Sequence, residues 1–224
     1  MGKLIVIEGV DASGKATQTE LLYNFLKESG KKVEKIEFPD YESESSSLVK
    51  MYLRGDLGET ADSVSPYIAS VFFAADRYAS FKTKWEKLYN DDYIIIADRY
   101  VTANMLHQAS KYEQGEEKEK FLSWVSDFEY GLFGLPEPDL KLFLDVPPEI
   151  SAELMAERLN KFSGEEQKDI HERDKDYLKK TYVNAKYIAE KYDFVTINCS
   201  ENGKIKSIEQ IHHIIREAIE NYGI

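Results

Sequence analysis

The chain is poor in cysteine, in histidine and in positive charge. Its single cysteine, Cys199, excludes an internal disulfide and cannot build a zinc cluster. Within its apolar run it reads as a small core residue in a reducing compartment. The 4 histidines, His107, His171, His212 and His213, have no metal-ligand spacing with acids, and none is assigned chemistry. Lysine and arginine number 29 against 41 acids, a net charge of −12. That balance disfavours nucleic acid and anionic membrane as partners, because a phosphate-bearing ligand must then find a locally basic cleft. Long apolar runs are missing too. None approaches the ~20 residues that span a bilayer, and no signal-like segment precedes the first strand, so a cytoplasmic protein without a membrane partner is expected.

Hydrophobic residues, at 42%, are ample for a core, and 224 residues suit one α/β domain, 1–224, with at most a short lid. Repeats, low-complexity tracts and interdomain linkers are absent from the sequence. Strand-like runs recur at Leu4–Ile7, Val33–Phe38, Tyr93–Ala97, Leu140–Val146 and Phe194–Cys199, separated by helical patterns. Such alternation predicts a doubly wound, five-stranded parallel sheet flanked by helices, with ligands beyond the C-terminal strand ends. Those ends deliver Glu8-Gly9, Glu37-Phe38-Pro39, Asp98-Arg99, Asp145 and Ser200 to one edge. The stretch from Pro39 to Asp92 is too long for a plain crossover. It carries a serine-rich loop, a helix near Ser46–Arg54 and a long helix from about Ser65 to Tyr89, and reads as an acceptor-binding insertion over about 39–92. Residues 158–170, polar and glycine-containing, read as a lid. Glu113–Lys120 reads as a solvated loop and helix start. Ile205, Ile208, Ile211, Ile215, Ala218 and Ile219 fall on one face of a closing helix, and Trp85 and Trp124 read as packing.

The most informative stretch is LIVIEGVDASGKATQ, residues 4–18. Gly9, Gly14 and Lys15 fit the phosphate-loop spacing G-x-x-x-x-G-K between an apolar strand and a helix, the context the pattern requires. Its glycines let backbone N–H groups crowd round an anion, and Lys15 adds a point charge for the distal phosphates. The loop, Gly9, Val10, Asp11, Ala12, Ser13, Gly14, Lys15, Ala16 and Thr17, is thus the expected ATP site in a P-loop NTPase-type fold. One position departs. The residue after the lysine is normally Ser or Thr, whose hydroxyl ligates Mg²⁺; here it is Ala16, and Thr17 points about 100° away.

Other groups converge on that edge. Arg99 can fork onto a phosphate, and Asp98 can hold Mg²⁺ directly or through water; alternatively the two merely tie a strand to a helix. Phe73 and Arg77 lie one helical turn apart, pairing a flat ring with a donor fork suited to a nucleobase, or they form an ordinary core stripe with a surface arginine. Asp11, inside a loop that cradles phosphates, must aim at a sugar hydroxyl or a cation, or bond within the loop itself.

Taken together the sequence resembles thymidylate kinases from residue 3 to about 200. The resemblance rests on the phosphate loop with Thr17-Gln18, Phe38-Pro39, FFAADR at 72–77, DRY at 98–100 with Gln108 beyond, and LDVPPE at 144–149. It implies transfer of the γ-phosphoryl of MgATP to dTMP by a homodimer. In that family the residue matching Asp11 approaches the deoxyribose 3′-hydroxyl, Phe73 stacks on thymine, Arg77 bonds the base, Arg99 grips the acceptor phosphate and Asp98 serves the metal. Phe38, Pro39, Tyr100, Asn104 and Gln108 complete the expected dTMP site. Members place a transition-state arginine in the loop or the lid. Ala12 occupies the loop position here, so the role falls to Arg158, Lys161, Lys168 or Arg173, with Arg158 taken as the catalytic residue beside Lys15, Asp98 and Arg99. Glu37 stands where arginine is frequent, and Ala103 where serine is. Two other functions fit parts of the pattern: a deoxynucleoside kinase with Glu37 as its base, and a non-catalytic nucleotide sensor whose loop lacks the metal hydroxyl.

Overall fold

The computed structural model describes residues 1–161 and 175–224, without the side chains of 157–161 and 175. Five parallel strands, β1 (Lys3–Gly9), β2 (Val33–Glu37), β3 (Ile94–Asp98), β4 (Leu140–Asp145) and β5 (Val195–Asn198), form one sheet in the order β2-β3-β1-β4-β5. The expected sheet is borne out. Successive side chains of a strand point to opposite faces, and the sequence supplies apolar residues at both parities. Leu4, Val6, Ile95, Ala97 and Phe143 face one core, and Ile5, Ile7, Ile94, Ile96, Leu142 and Leu144 the other. A sheet buried on both faces is the parallel arrangement that helical crossovers impose.

The second core is closed by α1 (Lys15–Glu28), through Leu22 and Leu26, and by α9 (Ile208–Tyr222), through Ile211, Ile215 and Ile219. On the other face lie α3 (Pro66–Ser80), α4 (Glu86–Asn90), α5 (Val101–His107), α6 (Glu116–Ser126) and α8 (Lys175–Lys191). Two further helices are α2 (Ser47–Arg54) and α7 (Pro148–Lys161). Because β1 sits between β3 and β4, the loop after it opens at the point where the chain switches sides, the usual ligand crevice of such sheets. Register fixes what shares that edge: Ile7 pairs with Asp98, Asp98 with Glu37, and Gly9 with Leu144.

The long helix of the 39–92 insertion is present as expected, while two other expectations are corrected, the start of the closing helix and the solvation of Lys118. The long helix runs unbroken from Pro66 to Asn90, with a π turn, Phe81–Trp85, inserted between α3 and α4. The wider turn lets Phe81 and Trp85 both enter the core, their rings 4.6 Å apart. The closing helix starts at Ile208, not Ile205, because Ser207 and Gln210 form a capping box there. Ile205 instead belongs to a small antiparallel hairpin, β6 (Ser200–Glu201) with β7 (Lys204–Ile205). Within the charged run Glu113–Lys120, Lys118 is buried and donates to Asn184 Oδ1 at 3.0 Å. The expected lid begins in the last turn of α7 and otherwise falls outside the described residues, as do the side chains of Arg158 and Lys161, all of Lys168 and Arg173, and His171.

Candidate active site

Gly9 and Gly14 do different work in the loop between β1 and α1. A Cβ on Gly9 would stand 2.5 Å from Ser13 Oγ and 3.1 Å from the Leu144 carbonyl, so no side chain fits. Gly14 has open space but a φ of 86°, a left-handed conformation that favours glycine. Ala12 takes the same region at φ 58° without that freedom. Gly14 is also the N-cap of α1. It supplies no side-chain cap, and the first turn holds no acid. The leading N–H groups and the positive end of the helix dipole therefore face the cavity uncompensated, ready for an anion.

Lys15 is buried and donates Nζ to the carbonyls of Gly9 at 3.0 Å and Val10 at 2.9 Å. The ammonium is thus parked on its own loop. Burial, helped by Arg99, pulls its pKa down to about 8, against opposing pulls from Asp98, Asp11 and Glu8. Beneath the loop lies Glu8, fully buried. Its Oε1 accepts from the Tyr100 amide at 3.1 Å and the Thr102 hydroxyl at 2.6 Å, while Oε2 has no partner among the described residues. Burial raises its pKa, with the Thr102 bond and the charges of Arg99 and Lys15 opposing. Arg99 stands at φ 64°, a left-handed position for a side-chain-bearing residue, and pairs with Asp11. Such strain persists only where neighbours impose it, and Glu8, gripping the next residue's amide, is one such neighbour.

A cavity of about 1000 Å³ opens over these groups, the upper end of the ~300–1,000 Å³ of single-ligand sites. Asp11, Lys15, Asp98 and Arg99 border its middle, together with Ala12, Ser13, Gly14, Ala16 and Thr17. Phe38, Pro39, Phe73, Arg77, Asn104 and Gln108 line the region toward α3 and α5, and Glu37 and Tyr41 join them. Burial, then the nearby Asp98 and Asp40 charges, raises the Glu37 pKa. Nearly every expected site residue with a described side chain thus meets in one space. Tyr100 does not. It is fully buried in the core, its hydroxyl on the Pro136 carbonyl at 3.1 Å. Gly9 and Val10 act from beneath, through the carbonyls that hold Lys15. Asp145 ends β4 at that edge as expected but does not line the cavity, and it accepts from the Tyr182 hydroxyl at 2.8 Å.

Three features went unseen in the sequence. Leu154, Ile205, Lys206, Ser207, Ile208 and Ile211 give the cavity a third, largely apolar wall beside the phosphate loop. His107, given no chemistry, is buried and lines the cavity. Glu129, fully buried in the π turn after α6, takes the Arg77 Nε and Nη2 at 2.6 and 2.7 Å. No short-range pattern marks it; only the need of a buried guanidinium for a carboxylate points to such a partner.

Comparison with known proteins decides the family. The family model described as "Thymidylate kinase" matches residues 7–213. The chain belongs to the thymidylate kinase family. Its similarity to the thymidylate kinase of Mycobacterium tuberculosis is 32% identity over 179 residues, 80% of this chain and 81% of that one. With the thymidylate kinase of Schizosaccharomyces pombe it is 27% over 223 residues, 100% of this chain and 94% of the relative. A solved thymidylate kinase structure from Candida albicans superposes with a TM-score of 0.66 at 27% identity, covering 98% of this chain and 92% of that chain. Membership makes this chain a nucleoside monophosphate kinase, a transferase acting on dTMP, and gives the deoxynucleoside kinase and sensor readings no support.

Proposed function

We propose that the protein transfers the γ-phosphoryl of MgATP to the phosphate of dTMP, yielding ADP and dTDP for dTTP synthesis. One observation carries this reading: a phosphate-loop nest, Arg99 and an aromatic–arginine pair border a single cavity of about 1000 Å³. A monophosphate acceptor is already an anion near neutral pH, so it needs no general base. Catalysis becomes alignment plus neutralisation of charge on the moving phosphoryl.

The loop from Gly9 to Thr17 and Lys15 hold the β- and γ-phosphates of ATP, and the wall of Leu154, Ile208 and Ile211 seats the adenine. Arg99 exchanges Asp11 for the acceptor phosphate, which frees the Asp11 carboxylate for the sugar hydroxyl. Phe73 stacks on the thymine beside Phe38 and Pro39, while Arg77, Asn104 and Gln108 bond its edge. Gln108 suits that role, being buried with an amide oxygen that has no partner among the described residues. Tyr100 contributes indirectly, by fixing the backbone next to Arg99. Arg158 remains the proposed lid cation.

Among the described residues no group of three His, Cys, Asp or Glu could hold a metal alone. Mg²⁺ commonly keeps several waters and takes one or two carboxylates plus substrate phosphates. The residues fit that habit: Asp98 would hold the ion, directly or through water, without a hydroxyl from Ala16. When bound, the ion supplies neutralisation of the phosphate charge. The cytoplasm is the proposed location, in keeping with the buried thiol of Cys199, pushed up by burial to about 12. Among the described residues no helix is long and apolar enough to cross a membrane. The proposed assembly is a homodimer through the outer face of α3, where Tyr67, Ile68, Val71 and Tyr78 are exposed.

The test is a panel of nucleoside monophosphates, with thymidine alongside, assayed with MgATP. Turnover of dTMP and none of thymidine is expected. Phosphorylation of thymidine but not dTMP would refute the reading.

A further inference from the structure

The carboxylate of Glu129 does more than neutralise Arg77. Its Oε2 accepts from Arg77 Nε at 2.6 Å, and its Oε1 from Arg77 Nη2 at 2.7 Å and from Asn104 Nδ2 at 2.9 Å. The same Asn104 nitrogen donates to the Ser70 carbonyl at 3.3 Å. An amide nitrogen has two protons and no acceptor, and a carboxylate and a carbonyl claim both of them. The orientation of this amide is therefore dictated by its partners: nitrogen inward, oxygen the end left for anything else. Arg77 is constrained likewise. Glu129 occupies its Nε–Nη2 edge and leaves Nη1 out of the fork. Arg77 and Asn104 both line the cavity, whereas Glu129 is fully buried behind them.

We infer that Glu129 is the positioning residue that sets the hydrogen-bond polarity of the base-reading pair, Arg77 as donor and Asn104 as acceptor, and so selects 4-oxo pyrimidines over 4-amino ones. The inference rests on the proposed dTMP site. A thymine or uracil edge presents a carbonyl at position 4 beside an N–H at position 3, which complements a donor next to an acceptor. Cytosine presents the reverse, an amino group beside a bare ring nitrogen, and would leave both protein groups facing like groups. A site built on buried polar groups rejects a mismatched partner strongly, because those groups are left unpaired. Asn104 alone could not enforce this, since without Glu129 only the longer 3.3 Å bond to the Ser70 carbonyl would hold its nitrogen inward. An acceptor-only carboxylate forbids rotation of the amide.

Glu129→Gln tests the assignment. A glutamine can offer an N–H to Asn104, which then turns its oxygen inward and its nitrogen to the cavity. The ratio of kcat/KM for dTMP over dCMP should fall about tenfold or more, chiefly through a raised KM for dTMP and with kcat less affected. Glu129→Asp keeps an acceptor-only group and should retain most of the preference. A lowered melting temperature with an unchanged ratio in Glu129→Gln would overturn the inference, since a merely structural carboxylate predicts that result. Should Glu129→Gln fail to fold, Asn104→Ala, which keeps the Arg77–Glu129 pair, carries the test. It must lose the same preference, and an unaltered ratio there overturns the inference as well. The unaltered protein separates the two ideas. If it does not phosphorylate dTMP, the proposed function fails; if it does and Glu129→Gln keeps the preference, only the role of Glu129 fails.

Discussion

Raising the pH should release ATP from this protein by a route that runs through Lys15. This ammonium is 6% exposed and bonded to two carbonyls, and its pKa is drawn down to about 8 from 10.5, by burial first and by Arg99 second. That depression corresponds to about 3 kcal/mol by which the folded site disfavours the charge. A polyphosphate placed against Nζ favours the charged form, so binding returns the pKa toward its ordinary value. The sign follows from linkage. The bound state holds the proton more tightly than the free state, so affinity is full below the free pKa and declines as pH rises through it. Between pH 7.5 and 9.5, above the titration of the ATP γ-phosphate, the dissociation constant should rise roughly twentyfold if the bound pKa reaches 10.5. Titration calorimetry at half-unit steps measures it. Lys15→Met, which has nothing to titrate, should bind weakly and with little pH dependence. A flat affinity across that window in the unaltered protein would refute the reasoning.

Other perturbations separate fold from function. Gly9→Ala should destabilise the chain by about 1–3 kcal/mol in a denaturant melt, because the added methyl meets the Leu144 carbonyl, which cannot retreat. Arg77→Ala should lower stability by about 3–5 kcal/mol, as it strands the Glu129 carboxylate in the core; a variant as stable as the parent would contradict the buried pair. Asp11→Asn should weaken the hold on Arg99 in the free protein, so saturation kinetics should give a lower kcat once the sugar contact loses its carboxylate, with KM for dTMP moving less. Ile68→Glu should convert a dimer to monomer by light scattering, and a dimer that survives it would remove α3 from the interface.

Much of this architecture is written locally. The strands are short apolar runs at both parities, the phosphate loop is a fixed spacing, and Ser207-x-x-Gln210 announces the start of α9. Asp98 and Arg99 could be placed at one edge because a parallel sheet delivers its strand ends there, whereas Phe73 and Arg77 were paired only by their one-turn spacing on a helix. What stayed hidden depends on distant partners. Nothing around Glu129 signals that it will meet Arg77, 52 residues away along the chain. The apolar wall near Ile208 comes from residues whose spacing looks like helix packing alone. Tyr100 sits within a motif of site residues, yet its backbone turns the ring into the core. Lys118 lies in a run of charges and is buried because Asn184 waits across the α6–α8 contact.

The central claim is that ATP and dTMP occupy one continuous cavity, with the phosphate loop at one end and Phe73 at the other. A single compound joining adenosine to thymidine through a chain of phosphates tests it most directly by competition calorimetry. One molecule should bind per chain and displace both nucleotides, more tightly than either alone. Binding that left dTMP or ATP in place would contradict the account.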